Sequence, residues 1–191
     1  MNVMAAKSAF VIMLSVLISM VCAASGAVGP EAHPYQFEKG GQSGWCHAPA
    51  EYPCGYFHTY DKFQVAGSND MPRKVHIFLP RDYEKSANRY PVIYMNDGDK
   101  AFFLADSDNG KTWDVPRVIC DLYDQRTIRD VIVVALFPID RNREYTHEQV
   151  RDWPYGGLDE YAHYLARFVK PWIDANYRTQ PDASNTMVLG S

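Results

Sequence analysis

Two short, nearly unbroken apolar runs constrain this chain most: PVIYM at residues 91–95 and VIVVALF at residues 131–137. A strand that faces water on one side alternates apolar and polar side chains. A run with no polar member fits a strand covered on both faces, as in a parallel sheet between helices. A third candidate strand is Met187-Val188-Leu189. Segments of helical period separate the three. Val115, Val118, Ile119, Leu122 and Tyr123 share one stripe between Trp113 and Tyr123. From Leu158 towards Tyr177, the residues Leu158, Tyr161, Ala162, Leu165, Phe168, Val169, Trp172 and Ile173 recur at spacings of three and four. Pro171 falls inside that helix and predicts a kink or a restart near Lys170. Strand, helix, strand, helix, strand is the order of a doubly wound α/β sheet with mostly parallel strands and flanking helices. Upstream, GYFHTYDKFQV and RKVHIFLP flank the turn-forming AGSNDMP and predict a hairpin or two early strands.

The N-terminus places one lysine, Lys7, ahead of an apolar stretch from Ala9 to Val21, followed by the small residues Ala23 to Ala27. This is the order of a secretory signal peptide over residues 1–27, and the apolar core falls short of the roughly 20 residues a span needs. The expected location is secreted or periplasmic, with no stable membrane anchor after cleavage. Residues 28–55, rich in Gly, Pro and polar side chains, read as an irregular extension, and residues 56–191 as the globular domain. Export permits disulfides. Cys46 and Cys54 bracket a proline-containing loop, so a local Cys46–Cys54 bridge is expected, with Cys120 as core filling. No second Cys/His cluster at zinc spacing exists, so no metal is expected, and no cofactor either. A net charge of -4 gives no reason to propose nucleic acid as a partner. The 13 Tyr, 9 Phe and 4 Trp suit a sugar- or aryl-binding surface, but a rich core accounts for them first.

Open α/β sheets place their ligands at the carboxyl ends of strands. Three stretches sit there. The first is NDGDKAFF (residues 96–103), where Gly98 allows close backbone approach and turn N–H groups can stabilise an oxyanion; taken alone, a plain Asp-Gly turn explains it more simply. The second is FPIDRNREYT (residues 137–146), in which Arg141, Arg143 and Glu144 line a cleft or, more simply, hold a loop by salt bridges. The third is VLGS (residues 188–191). A nucleophile elbow is G-x-S-x-G. With Ser191 as nucleophile the first glycine would fall on Leu189; with Gly190 as the first glycine, Ser191 is the variable residue and the nucleophile comes next. Only the second register fits.

VHIFLPRDYEKSANRYPVIYMNDGDKAFF resembles the opening of the putative esterase family of α/β-hydrolases, which includes esterase D, enterochelin esterases, feruloyl esterases and mycolyltransferases. IDRNREYT is similar to that family's Arg–Glu–Tyr–Thr segment, FVKPWIDANYRT to its following helix end, and TMVLGS to the first half of its G-S-S-x-G-G elbow. The resemblance covers about Lys74 to Ser191. It implies the N-terminal half of an α/β-hydrolase sheet, truncated at the nucleophile elbow. It also implies that the backbone N–H of Asp99 is one oxyanion donor, that Gly98 and Lys100 lie near the substrate, and that Gly190-Ser191 begin the elbow.

In this fold the triad runs Ser, Asp or Glu, then His along the chain. All three members would follow Ser191, so His33, His47, His58, His76, His147 and His163 are expected in strand, loop or surface roles. The expected function is therefore the N-terminal portion of a secreted serine carboxylic-ester hydrolase, inactive on its own, acting on a small-molecule or carbohydrate-linked ester. The alternatives are a non-catalytic module of the same fold that binds carbohydrate or protein, and an acyltransferase on the same scaffold.

Overall fold

The computed structural model describes residues 34–148, 152 and 155–190. The signal-peptide reading of residues 1–27 and the role assigned to Ser191 lie outside the described residues. Seven strands form one sheet: β1 (Tyr35–Lys39), β2 (Gln42–His47), β3 (Gly55–Phe63), β4 (Arg73–Pro80), β5 (Val92–Met95), β6 (Ile132–Leu136) and β7 (Thr186–Leu189), in the spatial order β1-β2-β3-β4-β6-β5-β7. The three apolar runs become β5, β6 and β7, and the predicted hairpin becomes β3–β4. Among the described residues, no helix is long and apolar enough to cross a membrane.

The sheet corrects the expectation of mostly parallel strands. Only β5–β6 and β5–β7 pair in parallel; β1–β2, β2–β3, β3–β4 and β4–β6 are antiparallel. The connections up to β4 are too short for a crossover, so those strands can only return antiparallel. The stretch expected to be irregular from residue 28 to 55 is also corrected, because residues 35–47 are a hairpin. Its two-residue loop is Gly40-Gly41, with φ of 55° and 73°. Tight hairpin loops need such positive φ values, and glycine supplies them without a Cβ clash.

Each sheet face carries its own core. On one face, Tyr56, Tyr60, Val75, Ile77, Leu79, Val134 and Leu136 pack against α4 (Leu158–Tyr164) and α5 (Lys170–Asn176). Here His58 Nδ1 lies 3.0 Å from the Tyr177 hydroxyl, which lies 2.7 Å from that of Tyr60. Burial holds the His58 imidazole neutral, its pKa pulled down to about 3. The kink expected near Lys170 is a π-turn over Leu165–Val169 that feeds into α5, with Pro171 in the first turn of that helix. A proline there forfeits an N–H that a helix start leaves unpaired anyway. On the other face, Phe57, Phe78, Met95, Phe102, Val133 and Ala135 pack with Ile119 and Cys120 of α2 (Val115–Asp124).

The two faces also decide the cysteine pairing. Cys46 belongs to the α4–α5 face, whereas Cys54 packs on the α2 face, so the sheet stands between them. The expected Cys46–Cys54 bridge does not form; Cys54 is bonded to Cys120 on α2, 66 residues away. Closing a loop of that length removes about 4 kcal/mol of chain entropy from the unfolded state. Non-reducing peptide mapping should recover a Cys54–Cys120 cross-link and none between Cys46 and Cys54. Replacing both Cys54 and Cys120 with alanine should lower unfolding free energy by about 2–4 kcal/mol in urea titration.

Candidate active site

The connection leaving β5 runs over the α2 face, and the connection leaving β6 runs over the α4–α5 face. Neighbouring parallel strands whose connections diverge in this way open a crevice at their carboxyl ends. One lip is the turn Asn96-Asp97-Gly98 leading into α1 (Gly98–Ala101). The other is the segment from Phe137 through α3 (Arg141–Glu144) to Tyr145.

The first lip is tightly determined. Asn96 N–H donates to the Leu189 carbonyl (2.8 Å), and its side-chain oxygen accepts from the Tyr161 hydroxyl (2.7 Å). Asp97 is fully buried and left-handed, at φ 51° and ψ 47°. That conformation costs a non-glycine residue about 1 kcal/mol and persists where the surroundings over-determine it. Here the surroundings come from the opposite lip. Arg141 Nε donates to Asp97 Oδ1 at 2.6 Å, and the Asp97 N–H donates to the Tyr145 hydroxyl at 3.0 Å. The Lys100 N–H closes the turn on the Asp97 carbonyl (2.9 Å).

Gly98 is required by close approach: a Cβ there would lie 2.6 Å from the Leu136 carbonyl carbon and 2.7 Å from its oxygen. Asp99 follows as the second residue of α1, where the helix itself offers its N–H no acceptor. The Lys100 ammonium sits between Asp108 Oδ1 (2.7 Å) and Asp99 Oδ2 (3.1 Å), and these hydrogen bonds hold its pKa above the usual range. Gly190 leaves β7 pressed onto the same turn, since a Cβ on it would come within 2.8 Å of Asn96 Cβ. The fold thus gathers four of the residues singled out in the sequence, Gly98, Asp99, Lys100 and Gly190, at one end of two adjacent strands.

The second lip hangs on a buried ion pair. Arg73, at the start of β4, makes a bidentate contact with Glu144 of α3 (3.0 and 3.1 Å) and also donates to Asp70 Oδ2 (2.6 Å) and to the Phe137 carbonyl (3.3 Å). The rings of Tyr164 and Tyr161 face its guanidinium at 4.8 and 5.4 Å. Burial alone would lower the Arg73 pKa; Glu144 reverses that and holds it above its ordinary value. Asp140 caps α3 by accepting from the Arg143 N–H (3.2 Å), and Arg143 reaches Glu160 (2.5 Å). The loop-holding reading of Arg141, Arg143 and Glu144 therefore describes what these side chains do. Arg73, Asp97 and Tyr145 were not singled out in the sequence. Tyr145 sits inside a recognised motif, but nothing local marks Arg73.

A second polar row crosses the α2 face. The His76 Nε2 lies 3.0 Å from Asp106 Oδ2, its Nδ1 lies 2.7 Å from the Thr59 hydroxyl, and Thr59 lies 3.1 Å from His47 Nε2. Carboxylate, imidazole and hydroxyl in sequence mimic a triad. Yet His76 and Thr59 are both buried, and Phe102, Phe103 and Phe137 cover the His76 ring, so no substrate carbonyl reaches the hydroxyl. Of the other described histidines, His147 is exposed in a loop and His163 lies on α4.

Gly98→Ala should push α1 off β6. The expected cost is about 1–3 kcal/mol in urea-induced unfolding, the range of overpacking. An unchanged midpoint would mean that the turn is not packed against the Leu136 carbonyl.

A family model described as putative esterase matches residues 67–191. Solved structures of similar fold include a ferulic acid esterase, 20% identical, covering 71% of this chain and 48% of that one at a TM-score of 0.50. A second ferulic acid esterase, AmCE1/Fae1A from Anaeromyces mucronatus, is 18% identical and covers 75% of this chain and 54% of its own at 0.50. An IroE-like serine hydrolase from Shewanella oneidensis is 23% identical, covering 61% and 38% respectively at 0.48. This chain thus spans about half or less of the length of these structures. No curated protein matches it. At these identities the likeness to the two ferulic acid esterase structures speaks for an α/β-hydrolase-like fold, and the family assignment rests on the sequence match across more than half of the chain: this chain belongs to the putative esterase family.

Proposed function

We propose that this chain is the N-terminal part of a secreted serine carboxylic-ester hydrolase and that it contributes one half of the oxyanion hole. One observation carries the reading: Asn96, which opens the Asp97–Gly98 turn into the helix bearing the Asp99 N–H, is packed directly against Gly190, the first residue of the elbow motif. In the register set by Gly190, the nucleophile is the residue after Ser191. Its hydroxyl, deprotonated by a histidine, attacks the ester carbonyl. The carbonyl oxygen becomes an oxyanion held by the Asp99 N–H and by the N–H that follows the nucleophile. Collapse expels the alcohol and leaves an acyl-enzyme, which water hydrolyses. Gly98 and Lys100 flank the carbonyl on the substrate side, and the substrate is a small-molecule or carbohydrate-linked ester.

The chemistry demands a donor that is already in place before charge develops, and the crevice supplies the means. Arg141 and Tyr145 fix Asp97 from both its carboxylate and its N–H, so the peptide that follows has little freedom to swing away. Loss of a single oxyanion donor typically lowers kcat by about 100- to 1,000-fold. A serine-directed phosphonate should label protein that extends past Ser191 at the serine immediately following it. It should leave residues 1–191 unlabelled and without burst release from a p-nitrophenyl ester. Labelling at Ser191 would overturn the register, and no labelling of the longer protein would overturn the serine-hydrolase reading.

A further inference from the structure

The loop that leaves α1 at Phe102 returns to its own starting point. The Thr112 hydroxyl and the Trp113 N–H both donate to the Lys100 carbonyl, at 2.9 and 2.8 Å. Asp108, midway round, holds the Lys100 ammonium. Lys100 is therefore gripped at both its carbonyl and its side chain by one loop. The position of that loop on the sheet sets the position of the turn it departs from.

The middle of the loop is fastened at one polar point. Asp106 accepts from Lys74 Nζ at 2.5 Å and from His76 Nε2 at 3.0 Å, and its side chain is largely buried. Burial would raise the carboxyl pKa, but the hydrogen bonds from His76 and Lys74 outweigh it and hold Asp106 below the usual carboxylate range. The imidazole has no second proton to spare, because burial keeps its pKa low despite the carboxylate. With its Nε2–H given to Asp106, the His76 Nδ1 accepts from the Thr59 hydroxyl, and Thr59 in turn accepts from His47 Nε2–H. The row of groups has one consistent donor direction from β2 across β3 and β4 into the loop, and every member is satisfied. An apolar row would serve the core as well; a satisfied polar row adds a single allowed register. Phe103, beside it, supplies apolar contact with Phe57 and His47 that does not depend on charge.

We propose that Asp106 is a positioning residue of the candidate active site: by locking the 102–114 loop onto Lys74 and His76, it fixes Lys100 and the oxyanion turn. The proposal rests on the esterase reading for its catalytic consequence, but not for its structural one. In Asp106→Asn, amide exchange at Lys100, Thr112 and Trp113 should accelerate by about tenfold or more while β3–β4 amides keep their protection, the pattern of a local opening. The long-range 15N spectrum of His76 should lose its fixed Nε2–H tautomer, and Asp106→Glu should restore part of both signals. In the ester-hydrolysing full-length protein, kcat should fall about tenfold with KM nearly unchanged, because the oxyanion contact acts in the transition state.

Unchanged loop exchange and tautomer in Asp106→Asn would overturn the proposal whatever the hydrolytic activity. Altered exchange and tautomer in a protein whose wild type hydrolyses no ester would leave the loop lock standing and defeat the esterase reading instead. If Asp106→Asn does not fold, Lys74→Met serves as the second variant, with the same exchange pattern supporting the lock and unchanged exchange overturning it.

Discussion

A guanidinium and a carboxylate buried together hold this site in place. Arg73 begins β4 and Glu144 ends α3, 71 residues further along the chain. Their two parallel hydrogen bonds tie the connection after β6 to the centre of the sheet. A buried pair of this kind contributes little net stability over an apolar replacement, yet removing one partner costs about 3–5 kcal/mol because the other is stranded. What it supplies is registry. With Glu144 fixed, Arg141 and Tyr145 on either side of it arrive at Asp97 with their polar atoms at bonding distance. Asp97 can then remain in a backbone conformation it would otherwise abandon.

The division of the sheet into two faces explains the rest of the arrangement. Tyrosines, His58 and Trp172 fill the face under α4 and α5, while phenylalanines and the Cys54–Cys120 bond fill the face under α2. Connections from β5 and β6 leave to opposite faces, and the crevice between them is where Asp97 meets Arg141. The loop lock at Asp106 acts from the α2 face and the ion pair at Glu144 from the far lip. The Asp97–Gly98 turn is thus held from both sides of the crevice.

Much of this was legible in the sequence, and the failures have physical causes. Unbroken apolar runs gave β5, β6 and β7, and the three-and-four spacing gave the helices that cover them. The expectation of a mostly parallel sheet failed because it weighed only those three runs, whereas β1 to β4 add four antiparallel pairs beside them. The β1–β2 hairpin hid behind its polar composition, although Gly40-Gly41 was a local turn signal. Cysteine spacing suggested a local bridge, since sequence distance does not show which face of a sheet a side chain takes. At the site, Gly98, Asp99 and Lys100 stood out through turn chemistry and family motif. Arg73, Asp97 and Asp106 did not, because their importance lies in partners 71, 44 and 30 residues away.

The central claim is that the buried Arg73–Glu144 pair, through Arg141 and Tyr145, holds the Asp97–Gly98 turn. Residue-resolved amide exchange of Glu144→Gln against the wild type tests it most directly. Neutralising the carboxylate without changing its shape should free α3 and raise exchange at Asp97, Gly98 and Asp99, with α5 amides unaffected. Exchange at the turn indistinguishable from wild type, in a variant whose α3 has demonstrably loosened, would contradict the account.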